Sequence, residues 1–140
     1  MGKMAISVLA LFLIGCSSSV SKGDLHHLNG YWTIKEVSFS EGTAKQYKGS
    51  TSIDFIQWDG KKGFKKKVVP KWDGTFTASD DALFFTITEV GGTFFLNFSK
   101  GDTTWQETIV SLSHESLVQK NQEGISYIYT RFEPIETQKK

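Results

Sequence analysis

From Tyr31 to Phe132 this 140-residue chain alternates apolar and polar residues with a period of two. No ten-residue stretch carries the 3.6-residue period of a helix. A period of two puts successive side chains on opposite faces of an extended strand, so the chain must bury one face of a sheet. The β-rich runs are Tyr31 to Phe39, Thr51 to Trp58, Gly63 to Val69, Gly74 to Thr77, Leu83 to Val90, Thr93 to Phe98, Thr104 to Leu112, Ser116 to Lys120 and Ile125 to Phe132. Between them stand turn residues: Asp59-Gly60, Asp73-Gly74, Gly91-Gly92, Lys100-Gly101-Asp102 and the loop from Asn121 to Gly124. Gly91-Gly92 is the clearest hairpin, because both residues tolerate the positive φ that a two-residue turn demands.

Eight or nine sequential strands with short connections make an antiparallel up-and-down meander, which removes its exposed edges by closing into a barrel. A two-sheet sandwich is the alternative, but it usually needs longer Greek-key crossings. In the first run the apolar positions change phase, from Trp32 and Ile34 to Val37 and Phe39. That switch near Lys35 and Glu36 predicts a β-bulge, which lets a long strand bend around a barrel. Outside the strands, Gly23 to Leu28 is the one stretch suited to a helical turn leading into the first strand. Stability must come from packing, since a single cysteine allows no internal disulfide. Eleven Phe, four Trp and four Tyr supply the apolar area.

The N-terminus reads differently. Lys3 precedes an apolar run from Met4 to Ile14, too short for a membrane helix of about 20 residues. It ends in Leu13-Ile14-Gly15-Cys16, followed by the Ser-rich stretch Ser17 to Ser21. These residues resemble the lipobox of bacterial lipoproteins. The resemblance implies that 1–15 is a signal peptide, that Cys16 receives a diacylglyceryl group and an acylated amine, and that 16–27 is a flexible tether. It implies a lipid-anchored envelope protein, with Ser17 directing it to the outer membrane, facing the periplasm. Cleavage would leave about 125 residues, the size of one compact domain. Lys3 leaves with the signal, so the formal charge of +1 falls to about zero. A neutral chain has no global attraction for nucleic acid.

At the two ends of the meander, Gly30-Tyr31-Trp32 opens the first strand and Tyr129-Thr130-Arg131-Phe132 closes the last. Together they resemble lipocalins and the small lipocalin-like lipoproteins of Gram-negative envelopes. The resemblance implies an all-β barrel of about eight strands over residues 28–135, followed by a polar tail at 136–140. It also implies that Gly30, Trp32 and Arg131 close the barrel floor, with the guanidinium across the indole. A cation over an indole face contributes about 0.5 to 2 kcal/mol, depending on desolvation. A bound small hydrophobic or amphipathic molecule is the activity it implies.

Lys61, Lys62, Lys65, Lys66, Lys67 and Lys71 form a cluster with no acid between Asp59 and Asp73. On a strand over Gly63 to Val69, Lys66 shares a face with Phe64 and Val68, and Lys65 and Lys67 share the other. Either assignment puts an ammonium inside the barrel or at its rim, where it needs an anion or carboxylate. Three uses are open: a solvated edge that discourages aggregation, attraction to anionic lipid or acidic glycan, or an internal grip on a ligand head group. Lys62, Lys65, Lys66 and Lys67 are the candidate contacts.

Nothing reads as a catalytic group, a metal site or a cofactor loop. His26 and His27, on an extended segment, point apart with no third ligand near in sequence. Ser113-His114-Glu115-Ser116 reads as a polar turn. Tyr127 and Tyr129 share a strand face with Arg131. Trp58, Trp72 and Trp105 read as core residues first and sugar platforms second. Two functions stay open: a barrel that binds a small molecule, or a non-catalytic scaffold whose barrel is filled by Phe55, Phe64, Phe76, Phe84, Phe85, Phe94, Phe95 and Phe98 and which works through its lysine-rich surface.

Overall fold

In the computed structural model, residues 20–48, 53–78 and 80–133 are described. The expected signal peptide at 1–15, Cys16 and the tail at 136–140 lie outside them. A short 3-10 helix, η1 (Lys22–Leu28), leads into ten strands. These are β1 (Gly30–Ser38), β2 (Ala44–Gln46), β3 (Ile53–Trp58), β4 (Lys62–Pro70), β5 (Phe76–Ala78), β6 (Leu83–Val90), β7 (Thr93–Lys100), β8 (Thr103–Leu112), β9 (Ser116–Asn121) and β10 (Ser126–Phe132).

All pairings are antiparallel, in the order β10-β9-β8-β7-β6-β4-β3-β1, and β1 pairs back onto β10. The result is a closed, all-β, up-and-down, lipocalin-like barrel of eight staves. The two three-residue strands are additions: β2 extends the β1 ladder beside Glu36 to Ser38, and β5 extends β4 beside Val68 to Pro70. The sequence reading missed β2, whose Ala44-Lys45-Gln46 lacks an apolar alternation and is exposed throughout.

The predicted bulge is present. The β1–β10 register shifts between Ile34 and Glu36, which returns Val37 to the barrel interior beside Tyr127. A second shift, between Ile109 and Ser111, has no phase change strong enough to read in sequence. Gly91 and Gly92 take φ of 59° and 84° and join β6 to β7 as a two-residue hairpin. Gly63 faces inward, and a β-carbon there would press into the Phe85 ring on the neighbouring strand.

The helix shortens the expected tether. Ordered structure begins well before residue 28: Val20, Leu25 and Leu28 all enter the core with Trp32, Leu96 and Leu117. Asp24 secures the helix start, its carboxylate accepting from both Ser21 N and Ser21 Oγ at 2.9 Å. η1 therefore plugs the end of the barrel where β1 begins. Among the described residues, no helix is long and apolar enough to cross a membrane.

Candidate functional site

The floor is built around Arg131. Its guanidinium carbon lies 4.1 Å from the Trp32 ring centroid. Its Nε donates to His114 O at 2.7 Å, Nη2 to His27 O at 2.6 Å and Nη1 to Asn29 O at 2.5 Å. Trp32 is fully buried and donates from Nε1 to Leu28 O at 2.9 Å. Gly30 has a φ of 127°, and a β-carbon there would collide with Arg131 Nη1. Gly30, Trp32 and Arg131 thus meet at one point, where a planar guanidinium joins η1, the β8–β9 turn and the last strand.

Above the floor the barrel interior has two different walls. One is an aromatic ladder: Trp58 stacks on Phe85 at 5.8 Å, Phe85 meets Phe98 at 5.5 Å, and Phe98 stacks on Trp105 at 5.4 Å. The other is polar. Lys65 points inward, its Nζ 5.8 Å from the Phe98 ring centroid and 5.6 Å from that of Tyr129. Asp54, 2% exposed, faces it from β3, with Lys65 Nζ 3.6 Å from Oδ2 and Lys67 Nζ 2.8 Å from Oδ1. Neither contact has hydrogen-bond alignment, so the carboxylate is compensated in charge but not hydrogen-bonded. Glu107 adds a second acid, its Oε2 accepting from Trp105 Nε1 at 3.3 Å. Gln119, 1% exposed, lies diagonally from Glu107 across the β8–β9 ladder, and its Nε2 has no partner.

The charge states follow from these neighbours. Burial opposes the Lys65 ammonium, but Tyr129, Asp54 and Glu107 outweigh it and hold the lysine above its ordinary 10.5. Burial pushes the Tyr129 phenol up to about 12, with the Lys65 ammonium pulling the other way. At neutral pH the interior therefore holds an ammonium beside a neutral phenol. Two carboxylates face them.

The lysine cluster does not make one patch. Lys65 is inside, and Lys67 reaches Asp54 from the rim with 62% of its side chain exposed. Lys66 points outward, its Nζ 5.5 Å from the Phe64 ring centroid. Lys61 and Lys62 sit at the floor-side turn, where their backbone N–H groups donate to Asp59 Oδ1 at 2.9 Å. Those two bonds hold the Asp59 carboxyl below the usual range.

The expected phenylalanine filling divides as well. Phe85, Phe94 and Phe98 are buried in the barrel. Phe55, Phe64 and Phe76 instead form an outer layer with Tyr31, which stacks on Phe76 at 4.6 Å and lies 4.9 Å from Phe55. Phe84 and Phe95 pair across β6 and β7 with outward neighbours. Trp58 and Trp105 are core residues as read, whereas Trp72 is 99% exposed at the β4–β5 turn. His26 and His27 do not point apart. The segment is helical rather than extended, so their ring centroids lie 4.0 Å apart, and His114 sits 6.2 Å from His27.

Asp54, Glu107 and Gln119 were not singled out from the sequence. The usable signal was Asp54 in the alternation of β3, at a position where Ile56 and Trp58 set the inward face.

No protein-family model matches the chain, and no curated protein matches it. Solved structures similar to it include a lipocalin-like protein from Bacteroides uniformis, with 14% identity and a TM-score of 0.48, covering 76% of this chain and 99% of that one. An uncharacterized protein from Bacteroides eggerthii has 8% identity and a TM-score of 0.48, covering 75% and 99%. Apocrustacyanin C1 has 11% identity and a TM-score of 0.47, covering 84% and 68%. The lipocalin-like description rests on the barrel's own strand order and closure.

Proposed function

We propose that the protein is an envelope lipoprotein, tethered through acylated Cys16 to the outer membrane on its periplasmic side, whose barrel binds a small amphipathic molecule. The Lys65 cluster carries the binding reading. An ammonium and two carboxylates in a barrel interior are costly to desolvate, and an apolar set of similar volume is often at least as stable. Their retention opposite an aromatic ladder gives a polar end and an apolar end to one interior. The unpartnered Gln119 Nε2 offers a donor beside them. Large inward side chains such as Trp32, Phe98 and Leu96 limit the occupant to a small molecule.

Those same large residues favour the second reading, a packed scaffold that works through its outer surface toward anionic lipid or glycan. Native mass spectrometry of protein purified from its host without detergent separates the two. An extra mass that is lost on denaturation, and lost also in Gln119→Leu, supports binding. A bare chain, repeated after incubation with fatty acids, fatty alcohols and lysophospholipid, removes it. The anchor is tested apart: alkyne-palmitate labelling and membrane fractionation should both be abolished by Cys16→Ala. Label retained in that variant would end the lipoprotein reading.

A further inference from the structure

The outer face of β6, β7 and β8 carries no formal charge over three cross-strand rows. Cross-strand pairing places Phe84, Ser99 and Thr104 in one outward row, and Thr86, Asn97 and Gln106 in the next. Thr88, Phe95 and Thr108 make a third. None of these side chains carries a formal charge, although 22% of the chain is Asp, Glu, Lys or Arg. The nearest charges are at the margins: Lys62 opposite Thr86 on β4, and Lys120 opposite Thr108 on β9. Solvated strand faces normally carry Lys and Glu for solubility. Here the charged residues of β6 and β8, Glu89 and Glu107, belong to the inward set.

The first two rows, together with Lys62, Gln122 and the inward-set residues Gly63, Phe85, Phe98 and Trp105, line an open groove of about 830 Å³. Its amides are already aligned. Gln106 Nε2 donates to Asn97 Oδ1 at 2.9 Å, and Asn97 Nδ2 donates to Thr88 Oγ1 at 3.0 Å. That chain holds both amides in place, and Thr86, Ser99, Thr104 and Gln106 all line the groove. Phe84, 59% exposed, supplies an apolar ring face at the same edge.

We propose that this groove binds a neutral glycan chain. Each sugar hydroxyl both donates and accepts, which matches amides and hydroxyls that do the same. Sugar C–H faces pack on an aromatic ring, and an uncharged ligand meets no unpaired charge on binding. The other ligand classes fit less well. An anionic polymer would need cations within the groove rather than at its margins. A peptide strand would need a free sheet edge, and β7 is paired along both sides. An apolar partner would strand the amides without hydrogen bonds. Its polar rows lie on the outer face, whereas Phe85, Phe98 and Trp105, which also line it, belong to the interior ladder beside Lys65.

Isothermal titration of the purified protein with chitohexaose, cellohexaose and polygalacturonate tests it. At least one neutral hexamer should bind saturably, with a dissociation constant on the order of 0.1 to 1 mM, and polygalacturonate should not compete. Phe84→Ala and Gln106→Ala should each weaken binding about tenfold. Both residues are on the outer face, so thermal midpoints should stay within a few degrees of the parent. Trp72→Ala, at the far hairpin, should leave the affinity unchanged. Binding lost in Trp72→Ala but kept in Phe84→Ala would move the glycan to the hairpin and overturn the assignment. So would the absence of saturable binding by either neutral hexamer, or binding of polygalacturonate alone.

Discussion

The barrel encloses two cations, and their surroundings differ in kind. Arg131 at the floor meets three backbone carbonyls and an indole face. Lys65, in the interior above it, meets the Asp54 carboxylate, the Tyr129 phenol and the Phe98 ring, with the charge of Glu107 acting from farther off. Carbonyl dipoles are always present, always neutral and fixed by the backbone, so the Arg131 arrangement holds at any pH where the chain is folded. Carboxylates and a phenol titrate, and the Asp54 carboxylate beside Lys65 makes no hydrogen bond. The same barrel thus holds one cation as a fastener and another as a responsive group.

Arg131→Ala should give the largest loss. It frees three carbonyls and uncovers Trp32, for about 4 kcal/mol by chemical denaturation. Arg131→Lys should recover little, because an ammonium cannot serve three fixed acceptors and lie flat on the indole. If lysine restores full stability, the floor is held by charge alone and the contrast with Lys65 collapses.

Asp54→Ala comes next, at about 3 kcal/mol, since it leaves the Lys65 ammonium buried beside fewer anions. The double replacement Lys65→Met with Asp54→Leu should return to within about 1 kcal/mol of the parent, because the two opposed buried charges leave together and neither stays behind without the other. A double variant as damaged as the single one would mean that the cluster is structural like the floor. Alkaline titration sharpens the same point. Lys65 and Tyr129 both have folded values above their ordinary 10.5 and 10.0, so the folded chain binds more protons than the unfolded one above pH 10. Their contribution is whole below pH 10 and is lost as the pH rises toward about 12. Tyr129→Phe should reduce that alkaline decline.

Much of this contrast could be traced in the sequence, though unevenly. Period-two alternation located nine of the ten strands, and the phase change beside Lys35 located the bulge, because both follow from which face must be dry. Gly30, Trp32 and Arg131 were legible as a set through a resemblance, although 98 residues lie between Trp32 and Arg131. The lysine run showed that an ammonium must lie inside the barrel or at its rim, but the alternation of β4 alone does not say which. Pairing with β3 decides it, since Lys65 opposes Ile56 and Lys66 opposes Phe55. The outer aromatic layer was hidden for a related reason: the Phe55, Phe64 and Phe76 side chains look like core residues until β5 is seen to bring Phe76 onto the outside of Tyr31. Gln119 carried no signal at all, because an isolated glutamine on a strand reads as solvated.

The smallest expected effect tests whether the floor is as insensitive to pH as its carbonyls suggest. His27 lies between His26 and His114 and close to Arg131. Burial first, and then the charge of His26, holds its imidazole below the ordinary 6.5. Asp24 pulls the other way, but less strongly. A depressed value means that the unfolded chain binds more protons than the folded one below pH 6.5, so this contribution is complete above 6.5 and is lost as the pH falls through the folded value. The denaturation midpoint should therefore drift downward between pH 7 and pH 5, and His27→Gln should flatten the drift while changing little at pH 8. The carboxylates of Asp24, Asp59 and Asp73 do not produce the same drift. Their folded values lie below 3.8, so their losses begin only in more acid solution. A drift that survives His27→Gln would place the sensitivity elsewhere and leave Arg131 a fastener unaffected by its histidine neighbours.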